Sequence, residues 1–78
     1  MNGESFVEYV IKALVDSPDD VQMKLVEGEK STVIELKVKE DDIGKVIGKN
    51  GRIIRAIRMI LKAIGTKNGK RYLLDLTE

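Results

Sequence analysis

Two polar residues, Lys49 and Asn50, lie between Gly48 and Gly51, and the chain is aliphatic on either side, with Val46 and Ile47 before them and Ile53 and Ile54 after. Residues of these types at this spacing can hold an extended anionic backbone. Gly48 can leave a helix in a left-handed conformation, and Gly51 puts no Cβ between the main chain and a sugar-phosphate. A helix that opens at Gly51 or Arg52 would turn its free N–H groups and the positive end of its dipole toward the same point, which favours phosphate. Lys49 places a charge at the tip, and Lys45 adds a second one on the preceding side. Arg52, Arg55, Arg58 and Lys62 follow at spacings of three, three and four, so they share one helix face. Arg52 and Arg55 stand nearest the loop and belong to the candidate site, whereas Arg58 and Lys62 read equally well as a solvated face.

Other chemistries are poorly supplied. The chain has no Cys and no His, which removes disulfides, thiolates, imidazole bases and nearly every zinc or haem site. Gly44 and Gly48 have three residues between them and no Gly-Lys-Ser or Gly-Lys-Thr follows, so a P-loop is absent. No G-x-G-x-x-G occurs, and 78 residues are too few for two βαβ halves. The expectation is a binding protein with no catalytic residue, no metal and no cofactor. The aromatics are Phe6, Tyr9 and Tyr72 alone, which argues against recognition by stacked rings. Bases held here would rest on aliphatic side chains.

A net charge of +1 conceals an asymmetry. Residues 1–42 hold 5 Lys against 11 Asp and Glu, a balance of −6, and residues 43–78 hold 9 Lys and Arg against 2 acids, a balance of +7. From Ile43 to Leu74 there is no acidic residue, so an anionic partner would meet that stretch without local repulsion.

These residues must be positioned by a small α+β unit. The hydrophobic fraction of 42% with 35% charged residues indicates a soluble globular chain, and its length allows a single domain over 1–78. Met1 to Glu4 carry no basic n-region and no apolar run approaches the roughly 18 residues that span a bilayer, which points to a cytoplasmic protein without a membrane partner. Phe6, Val7, Val10, Ile11 and Leu14 predict a helix from about Glu4 to Val15, stopped by Asp16-Ser17-Pro18-Asp19-Asp20. Val21, Met23 and Leu25, then Ile34, Leu36 and Val38, alternate as two half-buried strands around a turn at Gly28. Ile43, Val46 and Ile47 predict a short helix, capped by Asp41 or Asp42 and ended by Gly48. A longer helix then carries a stripe of Ile53, Ile57, Ile60 and Ile64 with Ile54 and Leu61 beside it, and Gly65 is its expected stop. After a polar turn over Thr66-Lys67-Asn68-Gly69, Tyr72, Leu74 and Leu76 alternate in a last strand. The order is α-β-β-α-α-β.

The run Val46-Ile47-Gly48-Lys49-Asn50-Gly51-Arg52-Ile53-Ile54 resembles, without a gap, the signature of KH domains, whose loop clamps four nucleotides. Two strands precede the motif and about fourteen residues follow its second helix, an order that resembles the bacterial type II arrangement. The resemblance covers essentially the whole chain and is to the small bacterial single-KH proteins of the KhpA family. It implies a three-stranded mixed sheet covered by three helices, with single-stranded RNA in a groove bounded by the loop, a strand and the apolar shoulder of the helices. It also implies that Gly48, Lys49, Asn50 and Gly51 form the clamp, while Val46, Ile47 and Ile54 shape or support the groove. The resemblance further implies an RNA chaperone or post-transcriptional regulator connected with cell-envelope growth and cell shape. It implies a homodimer, or a heterodimer with a second RNA-binding protein.

Two other readings of the same residues stand beside it. A protein-interaction module would use the apolar helix face or a sheet edge and keep the basic stripe for solubility. Single-stranded DNA would suit the loop as well as RNA, since nothing in the sequence shows how a 2′-OH would be read.

Overall fold

A computed structural model of the chain describes residues 1–77. The order is α1 (Gly3–Leu14), β1 (Gln22–Glu27), β2 (Thr32–Lys37), α2 (Ile43–Ile47), α3 (Arg52–Asn68) and β3 (Tyr72–Thr77), with single 3-10 turns before β1, before α2 and between α2 and α3. The α+β class, the three-stranded sheet and the three helices agree with the expectation. β2 is the central strand, antiparallel to β1 and parallel to β3. The parallel pair needs a crossover, and α2 and α3 supply it.

α1 begins where the Asn2 side chain accepts the Ser5 N–H at 2.8 Å, which satisfies one of the donors that a helix start leaves free. Val7 and Ile11 are fully buried on its inner face, with Phe6, Val10 and Leu14 packed at the margin. The β1–β2 hairpin closes through Gly28 N–H to Ser31 O at 2.8 Å. Helices cover one sheet face, burying Ile34, Leu36, Tyr72 and Leu74 against Val46, Ile54, Ile57 and Leu61. The opposite face is open. Val26, Val33 and Leu73 lie side by side across its three strands in register.

Four expectations are corrected. Leu25 is exposed rather than half-buried, because β1 is an outer strand whose ladder partner is β2. The buried stripe of α3 is Ile54, Ile57, Leu61 and Gly65, and Ile60 stands 49% exposed. Both isoleucine-rich stripes have helical spacing, so only packing against the sheet selects between them. α3 does not stop at Gly65 but runs to Asn68 and closes at Gly69, which is left-handed at φ 70°. The last correction concerns Asp42. It precedes α2 but makes no side-chain cap there, since its backbone is already helical (φ −98°, ψ −6°) and a capping residue needs extended geometry.

Gly65 serves close approach rather than termination. A Cβ there would lie 2.5 Å from the Lys70 carbonyl oxygen and 3.0 Å from the Tyr72 ring. Gly65→Ala is therefore expected to cost about 1–3 kcal/mol of stability through overpacking. Gly44→Ala, in α2 with nothing within 4 Å, is expected to be neutral or stabilising by up to about 1 kcal/mol. Urea denaturation of the two variants beside the parent chain measures both.

Candidate nucleic-acid interface

α2 and α3 meet at a turn that three positive φ angles make possible. Gly48 leaves α2 at φ 75°, ψ 174°, a region essentially restricted to glycine, rather than in the left-handed helical conformation that its sequence position suggested. Asn50 at φ 56° and Gly51 at φ 77° complete the turn, which Gly51 N–H closes onto Gly48 O at 3.1 Å. Asparagine is among the few side chains that tolerate this region. A Cβ on Gly48 would sit 2.6 Å from Ile53 Cγ1, so a side chain there is excluded by space as well as by conformation.

The turn lifts Lys49 and Asn50 into solvent at the molecule's surface, and Arg52 and Arg55 are exposed beside it. The Arg55 guanidinium lies over Gly51, with Nη1 3.0 Å from where a Cβ would be. No side chain caps the start of α3. The helix dipole and a guanidinium therefore converge on one exposed turn. Val46 and Ile54 are 0% and 7% exposed and support the turn from beneath, while Ile47 is half-buried.

Lys45 is placed differently. Its Nζ is 3.0 Å from Asp16 Oδ2 and 3.9 Å from Asp42 Oδ1, so it points to the base of the helical hairpin. The hydrogen bond to the Asp16 carboxylate, with that group's charge, raises the Lys45 pKa above the ordinary 10.5. A raised folded-state value makes this pair complete at neutral pH, and its contribution is lost only as pH climbs above 10.5 through the folded value.

Asp42 ties the same region together. It is 2% exposed, and its two carboxylate oxygens accept the N–H groups of Asp16 and Ser17, each at 3.1 Å. The end of α1 is thus fastened to the foot of α2.

A second feature lies along α3. Between its C-terminal half and the free edge of β3 is a cleft of about 510 Å³ lined by Arg58, Leu61, Lys62, Thr66 and residues 70–74. Among the described residues four cations border it, Arg58, Lys62, Lys70 and Arg71, and no acid does. Lys70 and Arg71 were not among the residues singled out by spacing. The signal that pointed to them was the acid-free stretch from Ile43 to Leu74. Arg58 is anchored as well as solvated, because Nε and Nη2 both donate to Leu74 O at 3.3 and 3.0 Å.

Among the described residues no group of three or more His, Cys, Asp or Glu is arranged to hold a metal, and no helix is long and apolar enough to cross a membrane. The arrangement offers an exposed, donor-rich turn at the start of α3 and, along the C-terminal half of the same helix, a cation-bordered cleft with an apolar floor. Such a surface can hold a phosphodiester and let bases lie against aliphatic groups.

The family model described as KhpA/KhpB, KH domain matches residues 4–76. The RNA-binding protein KhpA of Aquifex aeolicus is 53% identical over 75 residues, covering 96% of this chain and 95% of that protein. That of Clostridium acetobutylicum is 48% identical over 73 residues, covering 94% and 97%. That of Borreliella burgdorferi is 44% identical over 77 residues, covering 99% and 94%.

Removing the Asp42 carboxylate would leave the Asp16 and Ser17 amides without their partner. Asp42→Ala is expected to cost about 2–4 kcal/mol, from two hydrogen bonds to a charged acceptor at about 1–2 each. Thermal and urea unfolding would measure the loss, and amide exchange at Asp16 and Ser17 should accelerate first.

Proposed function

The chain belongs to the KhpA/KhpB KH-domain family, and on that premise we propose that it binds single-stranded RNA non-catalytically, with the Gly48–Gly51 turn as its clamp. The observation that carries this reading is the turn itself: positive φ at Gly48, Asn50 and Gly51 presents main-chain N–H groups, Lys49 and Asn50 together at the uncapped start of α3. Gly48, Lys49, Asn50 and Gly51 hold the backbone of about four nucleotides. Arg52 and Arg55 add charge beside them, and the cation-bordered cleft receives the bases. Val46, Ile47 and Ile54 shape the hairpin that carries the clamp, and Lys45 fixes its foot to Asp16.

One such module binds on the order of micromolar or weaker. Function therefore draws on a homodimer or on a heterodimer with a second RNA-binding protein, which raises effective concentration without new contacts. The protein acts in the cytoplasm as an RNA chaperone or post-transcriptional regulator within that assembly.

Lys49→Asp combined with Asn50→Asp is expected to abolish binding to a mixed-sequence single-stranded RNA octamer, measured by fluorescence anisotropy, with an unchanged melting temperature. Retained affinity would leave the basic face as a solvated surface and favour a protein-interaction role. Equal binding of the matching DNA octamer would assign the clamp to single strands of either kind. If three or four phosphates are neutralised, raising salt from 50 to 200 mM should weaken binding roughly 20- to 50-fold.

A further inference from the structure

Arg58 crosses from α3 to the free edge of β3, and its two bonds to Leu74 O change what that edge displays. Main-chain groups along a strand alternate in direction. Arg71 O faces β2, where it accepts the Thr32 N–H at 2.8 Å, so Leu73 and Asp75 face β2 as well. Tyr72, Leu74 and Leu76 face outward, into or beside the cleft. An uncovered strand edge would offer a ligand both an N–H and a C=O at Leu74. Here the carbonyl is occupied by a cation, and at Leu74 the edge presents donors only. These are the Leu74 amide and the three guanidinium N–H groups, out of five, that do not bond Leu74.

We infer that Arg58 is the specificity-determining residue of the bound strand, an inference that rests on the RNA-binding reading above. At Leu74 the strand takes a base edge that presents two acceptors side by side, as guanine does through O6 and N7, in preference to adenine, whose N6 amino group would meet a carbonyl already bonded to Arg58. The aliphatic stems of Arg58 and Lys62 flank the base over the nearly buried Leu74, and Lys62, Lys70 and Arg71 supply charge at the margin without reading sequence.

The test uses the full chain and uridine octamers that carry a single guanine or adenine at each position in turn. At the best position, the parent protein should bind the guanine octamer about tenfold more tightly than its adenine counterpart, within the range one bidentate contact supplies. Arg58→Met uncovers the Leu74 carbonyl and should bring the ratio to about one or below. Arg58→Lys keeps the charge but not the planar pair of donors, so the guanine octamer should fall about tenfold, to the affinity of its adenine counterpart, and the ratio should be lost. That second variant also carries the test if Arg58→Met unfolds. A guanine-to-adenine ratio unchanged in the folded variants, or absent at every position in the parent, overturns the inference while leaving the clamp intact. If the parent binds no octamer at all, the RNA-binding reading itself fails and this inference falls with it.

Discussion

α2 and α3 are joined by only four residues, Gly48 to Gly51, and the geometry of that join governs the rest of the molecule. A chain can reverse so sharply between two helices only by entering conformations that ordinary side chains avoid, and it does so at Gly48, Asn50 and Gly51. Because the turn is short, Val46 and Ile54 must meet beneath it, and both are buried in the core that the sheet completes. Because the turn is strained toward solvent, Lys49 and Asn50 have nowhere to go but outward. Core packing and ligand presentation are thus two sides of one local constraint.

Charge is distributed to match. The acidic N-terminal part of the chain does not oppose the basic part at random. Asp16 and Asp42 gather at the foot of α2, where they fasten the end of α1 and hold Lys45. The cations that face away, from Lys49 through Arg55 to the cleft beside β3, meet no carboxylate among the groups that line it. At physiological salt, exposed charges act over about 8 Å, so the cations that line the cleft reinforce one another with no carboxylate among them. Arg58 bridges α3 to the edge of β3.

The local features were legible in the sequence and the long-range ones were not. Helical and strand periods located all six elements, to within about two residues except at the end of α3, because apolar spacing is a property of neighbours. The turn between α2 and α3 was legible for the same reason, since Gly48 and Gly51 mark positive φ without help from the fold, although the extended ψ of 174° at Gly48 was not. Which isoleucines of α3 turn inward was not, because Ile53-Ile57-Ile60-Ile64 and Ile54-Ile57-Leu61-Gly65 are both helical stripes and the choice belongs to the sheet. Gly65 looked like a terminator, and its closeness to Lys70 and Tyr72 exists only once β3 has folded back. Asp42 looked like a cap, yet its partners, Asp16 and Ser17, lie some 25 residues earlier. Arg58 is a further such case, since its anchoring depends on a carbonyl 16 residues away.

The central claim is that the Gly48–Gly51 turn and the α3–β3 cleft form one surface for single-stranded RNA. An amide NMR titration of the protein with a mixed-sequence RNA octamer at low salt tests it directly, because it reports on every residue at once. The account predicts shifts that are concentrated from Gly44 to Arg55 and continue through Arg58 to the β3 edge, with the open sheet face around Val26 and Val33 unmoved. Shifts confined to that open face, with a silent turn, would contradict it.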